Sequence, residues 1–157
     1  MSLSLSYGEL VVLDDVTLDL VPGELLVLTG GDGCGTTSLL RLLPGRLLEA
    51  PPGSEWSDDD VVPALPGLEH LLGRELWTLS GGERQRVRVA SLPVDDVLLV
   101  DDGLGTLDSA GAAWVLDLLR ARATAGASVV LVAKGDPRAA AAADRVLVLE
   151  AGRLLSS

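Results

Sequence analysis

The sequence predicts an α/β domain built on a central, mainly parallel sheet, with antiparallel strands at its N-terminus and a reduced helical region in its middle. Three observations carry that expectation. Apolar residues make up 48% of the chain, yet it holds three Trp, one Tyr and no Phe, so the core is aliphatic. Val, Leu and Ala are what buried parallel strands under a cover of helices are made from. Short apolar runs at 24–28, 97–100, 128–133 and 145–149 alternate with segments of helical pattern. The first of these runs feeds a glycine-rich turn that opens directly into a helix, which is the order a phosphate-binding loop requires. At 157 residues, the chain is read as one domain, 1–157.

Charge and composition narrow the function classes. The net charge of −11 argues against nucleic-acid binding, because a phosphate backbone needs a positive surface. One cysteine permits no internal disulfide and fits a reducing compartment. No apolar run has the length of a membrane span, and the N-terminus carries no charged-then-apolar signal segment. The expectation is a soluble, cytoplasmic protein with no direct membrane insertion, which would reach a membrane only through a partner. The basic residues are nearly all Arg; Lys134 is the single lysine.

Taken in order, Leu3–Tyr7 and Val16–Leu20 alternate apolar and polar positions, the period of half-exposed strands. Pro22-Gly23 turns the chain into the buried strand Glu24–Leu28. Gly30-Gly31-Asp32-Gly33-Cys34-Gly35-Thr36-Thr37-Ser38 follows and runs into Leu39–Leu43. Its glycines allow successive amides to point inward as an anion nest, with Cys34 as a small filler. Pro44-Gly45 stops the helix, and five of the eight prolines lie between 44 and 79, so that interval has no room for long helices. A short helical turn fits Leu68–Leu72, and His70 within it carries no assigned chemistry.

Leu79-Ser80-Gly81-Gly82-Glu83-Arg84-Gln85-Arg86 then leads into a further helix. Ser80 followed three residues later by Glu83 is a capping box. The same Ser-Gly-Gly string at a helix start is also a compact anion-binding end. Val97–Val100 delivers Asp101-Asp102 at a strand tip. Ser109 is placed to cap a helix through about Arg122, Ser128–Ala133 is a buried strand, and an alanine-rich helix and the strand Arg145–Leu149 follow. Gly152 turns the chain into Arg153–Leu155.

These motifs, in this order, resemble the ATP-binding cassettes of ABC transporters. Residues 79–86 read LSGGERQR and match that family's signature at every position, and Gly30, Gly33 and Gly35 match the fixed glycines of its GxxGxGK[ST][ST] loop. The resemblance implies a P-loop NTPase fold of ABC type with ATP and Mg²⁺ as cofactors. It implies that Tyr7 stacks on the adenine, that Gly30, Gly33, Gly35, Thr36, Thr37 and Ser38 hold phosphates, and that Thr37 and Asp101 hold the metal. Asp102 takes the place of the general base. Ser80, Gly81 and Gly82 would close over the γ-phosphate of a nucleotide bound by an opposite subunit, in a homo- or heterodimer of cassettes. A transmembrane permease subunit would be the further partner.

The chain also departs from that pattern. Thr36 stands where the loop lysine belongs, and losing one charged hydrogen bond of about 1.5–3 kcal/mol lowers nucleotide affinity by roughly one to two decades. Asp102 replaces a Glu and is one methylene shorter, whereas a general base needs hydrogen-bond reach. The strand 128–133 ends without the family's histidine, the only Gln is Gln85, and the docking region between 44 and 79 is abbreviated. The expectation is an ATP-binding subunit that hydrolyses weakly at best. The alternatives are a catalytically inactive regulatory or structural module, or a cassette with no ligand. Lys134, near the end of a strand aimed at the phosphates, is either a stand-in for the absent loop lysine or a solvated loop charge.

Overall fold

The computed structural model describes residues 2–7, 10–48, 60–91, 96–101, 104–105 and 107–156. Strands β1 (Ser2–Tyr7) and β2 (Leu10–Thr17) form an antiparallel pair of their own. The main sheet is assembled from β3 (Leu25–Gly30), β4 (Arg46–Leu48), β5 (Val97–Val100), β6 (Ser128–Val132), β7 (Arg145–Glu150) and β8 (Arg153–Ser156). Its order is β4-β5-β6-β3-β7-β8, parallel throughout except for the final antiparallel pair. The helices are α1 (Thr36–Leu42), α2 (Gly81–Ser91), α3 (Ser109–Thr124) and α4 (Pro137–Ala142). This is the α/β, mainly parallel arrangement that the aliphatic runs predict.

The two-residue period of a strand sorts the side chains onto two faces. Leu25, Val27, Leu98, Val100, Val129 and Leu131 pack with α3 and with Ala139 of α4. Their neighbours Leu26, Leu28, Leu99, Val130 and Val132 pack on the other face with Leu39 and Leu40 of α1 and with Leu13 and Val16 of β2. Strands β3, β5 and β6 are therefore buried on both sides, and each fully buried Leu or Val contributes about 1.5–3 kcal/mol. A smaller cluster of Val62, Leu68, Leu71, Leu76 and Leu79 packs on Val87 and seats the middle segment against α2.

Three local expectations change. The second hairpin strand is Leu10–Thr17 rather than 16–20, because the pairing with β1 slips at Leu5 and Asp15 takes a left-handed turn, φ 48°. Val16 and Leu18 are buried as their alternation suggests. The cap of α3 is Asp108, whose carboxylate accepts from the Gly111 amide at 2.7 Å, so Ser109 is already in the helix. The interval 44–79 opens with the edge strand β4, paired in parallel with β5, and its described remainder holds two single helical turns, Glu69–Leu71 and Leu76–Thr78.

Asp144 joins three elements. Its carboxylate accepts from the Leu25 amide at 2.9 Å and from both terminal nitrogens of Arg120, while its own amide donates to the Leu25 carbonyl at 2.9 Å. The Arg120 guanidinium first, and then the Leu25 amide, hold this carboxyl down at about 2. A carboxylate in the unfolded chain titrates near 3.9. The folded pKa is the lower one, so the stabilisation is complete above about pH 4 and is lost as pH falls toward 2. Asp144→Ala leaves the buried Leu25 amide without its acceptor. Urea unfolding at pH 7 is expected to show a loss of about 1–3 kcal/mol, with part of the wild-type acid sensitivity between pH 4 and 2 gone; an unchanged acid limb would refute the assignment.

Candidate functional site

The carboxyl ends of β5, β6 and β3 lie side by side, because these strands are adjacent and parallel. In open α/β sheets, that edge is where ligands bind. The turn after β3, residues 30–35, leads into α1 through Gly35, which caps the helix at φ 100° with no side chain closing its first amides. Amides left without a side-chain cap at a helix start are donors that an anion can take. Gly33 also has a positive φ, 75°. Gly30 is glycine for another reason: a Cβ there would lie 2.5 Å from the Leu149 carbonyl and 2.5 Å from the Cys34 sulfur.

Thr37, in the first turn of α1, donates its hydroxyl to Asp101 at 2.7 Å. Asp101 follows β5, so two residues 64 apart in sequence meet in front of the loop. One hydroxyl and one carboxylate are hard oxygen donors of the kind Mg²⁺ takes, the ion filling its other positions with water and phosphate oxygens. Among the described residues, no group of three His, Cys, Asp or Glu side chains converges on one point, so the donor set suits such an ion and does not suit an all-protein cage.

The other sequence-predicted residues are placed as follows. Thr36 begins α1, its hydroxyl 3.9 Å from the Cys34 sulfur, and Ser38 is half-buried one position past Thr37. Tyr7 ends β1, but its side chain lies outside the described residues, as does Asp102 altogether. Ser80 and Gly81 are exposed at the head of α2. There the capping box is formed: the Ser80 amide donates to Glu83 at 2.8 Å, and the Glu83 amide donates to the Ser80 hydroxyl at 3.2 Å. The Ser80 amide, then its hydroxyl, and then Arg74 hold the Glu83 carboxyl below its usual range. Among the described residues, no hydrogen bond or ion pair joins Ser80–Gly82 to the loop 30–38. The loop and the signature are two separate polar ends of one chain.

Three features have no counterpart in the linear motifs. A cavity of about 520 Å³ lies between the loop and the last turn, lined by Gly30–Cys34 and by Val148–Ala151. Lys134 reaches Asp32 in the loop, Nζ to Oδ1 3.0 Å. The sole-lysine count marked Lys134, but nothing in the sequence marked Asp32. A second cavity, about 570 Å³, is lined by Asp14, Asp15, Val16, Thr17, Arg153 and Leu154.

No family model matches the chain. It is 30% identical to the zinc import ATP-binding protein ZnuC of Roseobacter denitrificans, over 94% of this chain and 72% of that protein. The chain belongs to the ATP-binding cassettes of ABC transporters. The cassette is also 28% identical to the maltose/maltodextrin import ATP-binding protein MalK of Escherichia coli K12, over 95% of this chain and 54% of that protein, so it spans about half the length of this second relative. Solved structures agree on the fold. An ATP-binding subunit of an ABC transporter superposes with a TM-score of 0.79 at 19% identity, covering 99% of this chain and 88% of that one. The dimeric cassette MJ0796 bound to ADP and Pi does so with a TM-score of 0.75 at 16% identity, covering 99% and 95%. The cassette is a shortened one, with Thr36 at the loop-lysine position, Asp102 at the glutamate position and no histidine after β6.

The close approach at Gly30 sets a contrast within the loop. Gly30→Ala is expected to destabilise the cassette by about 1–3 kcal/mol, since the Leu149 carbonyl is backbone and must shift. Gly31→Ala, whose added methyl meets nothing within 4 Å, is expected to stay within about 0.5 kcal/mol of the parent. Urea unfolding of the two variants side by side checks the difference, and equal losses would contradict the packing described.

Proposed function

We propose that this cassette is the ATP-binding subunit of an ABC-type transporter, binding MgATP at the edge formed by β3, β5 and β6 and hydrolysing it weakly at best. The observation that carries the proposal is the Thr37–Asp101 pair in front of open helix-end amides. Gly30, Gly33, Gly35, Thr36, Thr37 and Ser38 would hold the phosphates, Thr37 and Asp101 would hold Mg²⁺, and Tyr7 would stack on the base. When bound, the metal supplies charge neutralisation to the phosphate oxygens. The chain's own part is to position the polyphosphate through amides and hydroxyls, with Asp102 accepting a proton from water at a longer reach than a glutamate would have.

The exposed position of Ser80 and Gly81 supports a head-to-tail dimer, with itself or with another cassette, in which the signature of one subunit completes the site of the other. ZnuC and MalK are import ATP-binding proteins by name, which supports transport through a membrane permease as the setting. No helix among the described residues is long and apolar enough to cross a membrane. We place the cassette in the cytoplasm, at the membrane through its partner. A second reading, a nucleotide-binding regulatory or structural module without turnover, draws on Thr36, Asp102 and the missing histidine together.

Calorimetry with millimolar MgATP, combined with steady-state turnover, separates the two. Wild-type turnover that Ser80→Arg abolishes is the expected result, with Asp102→Glu raising the rate by roughly tenfold or more. Binding with no turnover in any variant supports the regulatory module. No heat on addition of MgATP would remove both.

A further inference from the structure

The loop's missing charge has a candidate on a different strand. β6 lies between β5 and β3, so whatever follows it emerges between Asp101 and the phosphate loop. Residues 133–135 are pinned there: the Ala133 amide donates to the Leu28 carbonyl at 3.1 Å, and the Gly135 amide donates to the Thr29 hydroxyl at 2.9 Å. Lys134 sits between these two anchors and extends its ammonium to Asp32, inside the loop. The pair is exposed, 59% at the lysine and 91% at the aspartate. Ion pairs that exposed hold little of a fold together.

We propose that Lys134 is the cation that contacts the terminal phosphates of the nucleotide, entering from the end of β6 in place of the lysine absent at Thr36, and that Asp32 parks it beside the loop until phosphate arrives. This rests on the nucleotide-binding reading above. A triphosphate carries more negative charge than one carboxylate and presents several acceptor oxygens, so it outcompetes Asp32 for the ammonium. Asp32, once released, loses little because it is already solvated. Before the ligand arrives, the pairing also offsets the Asp32 charge in the loop of a chain of net charge −11, which favours the approach of an anion.

The test is a double-mutant cycle by calorimetry on the full chain, with MgATP as the probe and circular dichroism to confirm folding. Lys134→Ala is expected to weaken MgATP binding about tenfold or more, the size of one charged hydrogen bond. In a Thr36→Lys background, which restores a loop lysine, the same substitution is expected to cost less than threefold. A loss below threefold in the parent, or the same loss in both backgrounds, overturns the role for Lys134 while leaving the nucleotide reading intact. Failure of the parent chain to bind MgATP overturns the nucleotide reading, and the lysine's role with it.

Discussion

Three parallel strands, β5, β6 and β3, end on one edge of the sheet, and the site hangs from those ends. Asp101 follows the first, Lys134 the second and the glycine loop the third. Their spacing is set by backbone hydrogen bonds and by an aliphatic core packed on both faces, not by the polar groups themselves. For a loop to bind an anion through amides it would have to be held rigid, because each donor counts only if it is already aimed. The interdigitated Leu and Val side chains beneath the loop supply that rigidity, and the Leu149 carbonyl against Gly30 closes it from the side of β7.

Electrostatics divides into fastening and chemistry. Arg120 of α3 with Asp144, Arg153 with Asp14, and Arg145 with Glu24 tie neighbouring segments together at the surface of an acidic chain. Asp144 is the strongest of these fastenings, because it also accepts a backbone amide from the strand that carries the loop. The site uses charge differently: Asp101 faces a neutral hydroxyl, and Lys134 pairs with an exposed carboxylate. Breaking the Asp144 cluster, by contrast, would take the acceptor from the amide at the start of β3.

Much of the fold was legible from the residues. Aliphatic runs flanked by turn residues located β3, β5, β6 and β7, and the strand–glycine–helix order located the loop. The slips occurred where pairing geometry overrides local pattern. The register shift at Leu5 moved the second hairpin strand to Leu10–Thr17, and Asp108 took the α3 cap from its neighbour Ser109 because its carboxylate reaches the Gly111 amide. The edge strand β4 had no local signal distinct from the proline-rich interval that follows it; it exists because β5 offers a free edge for pairing. At the signature, the residues permitted both a capping box and an anion-binding end, and the structure forms the box while leaving Ser80 and Gly81 facing solvent.

The sequence by itself determined the kind of chemistry: which hydroxyls, carboxylates and glycines are present, in what order, and which of the family's groups are replaced. Those are covalent facts, and a strand or helix period reads them locally. Only the tertiary structure decided which of them meet. Thr37 and Asp101 are 64 residues apart, and Lys134 and Asp32 are 102 apart; each pair comes together because the sheet places β6 between β5 and β3. Strand order is set by burying aliphatic surface on two faces at once, a property of the whole chain that no short window contains.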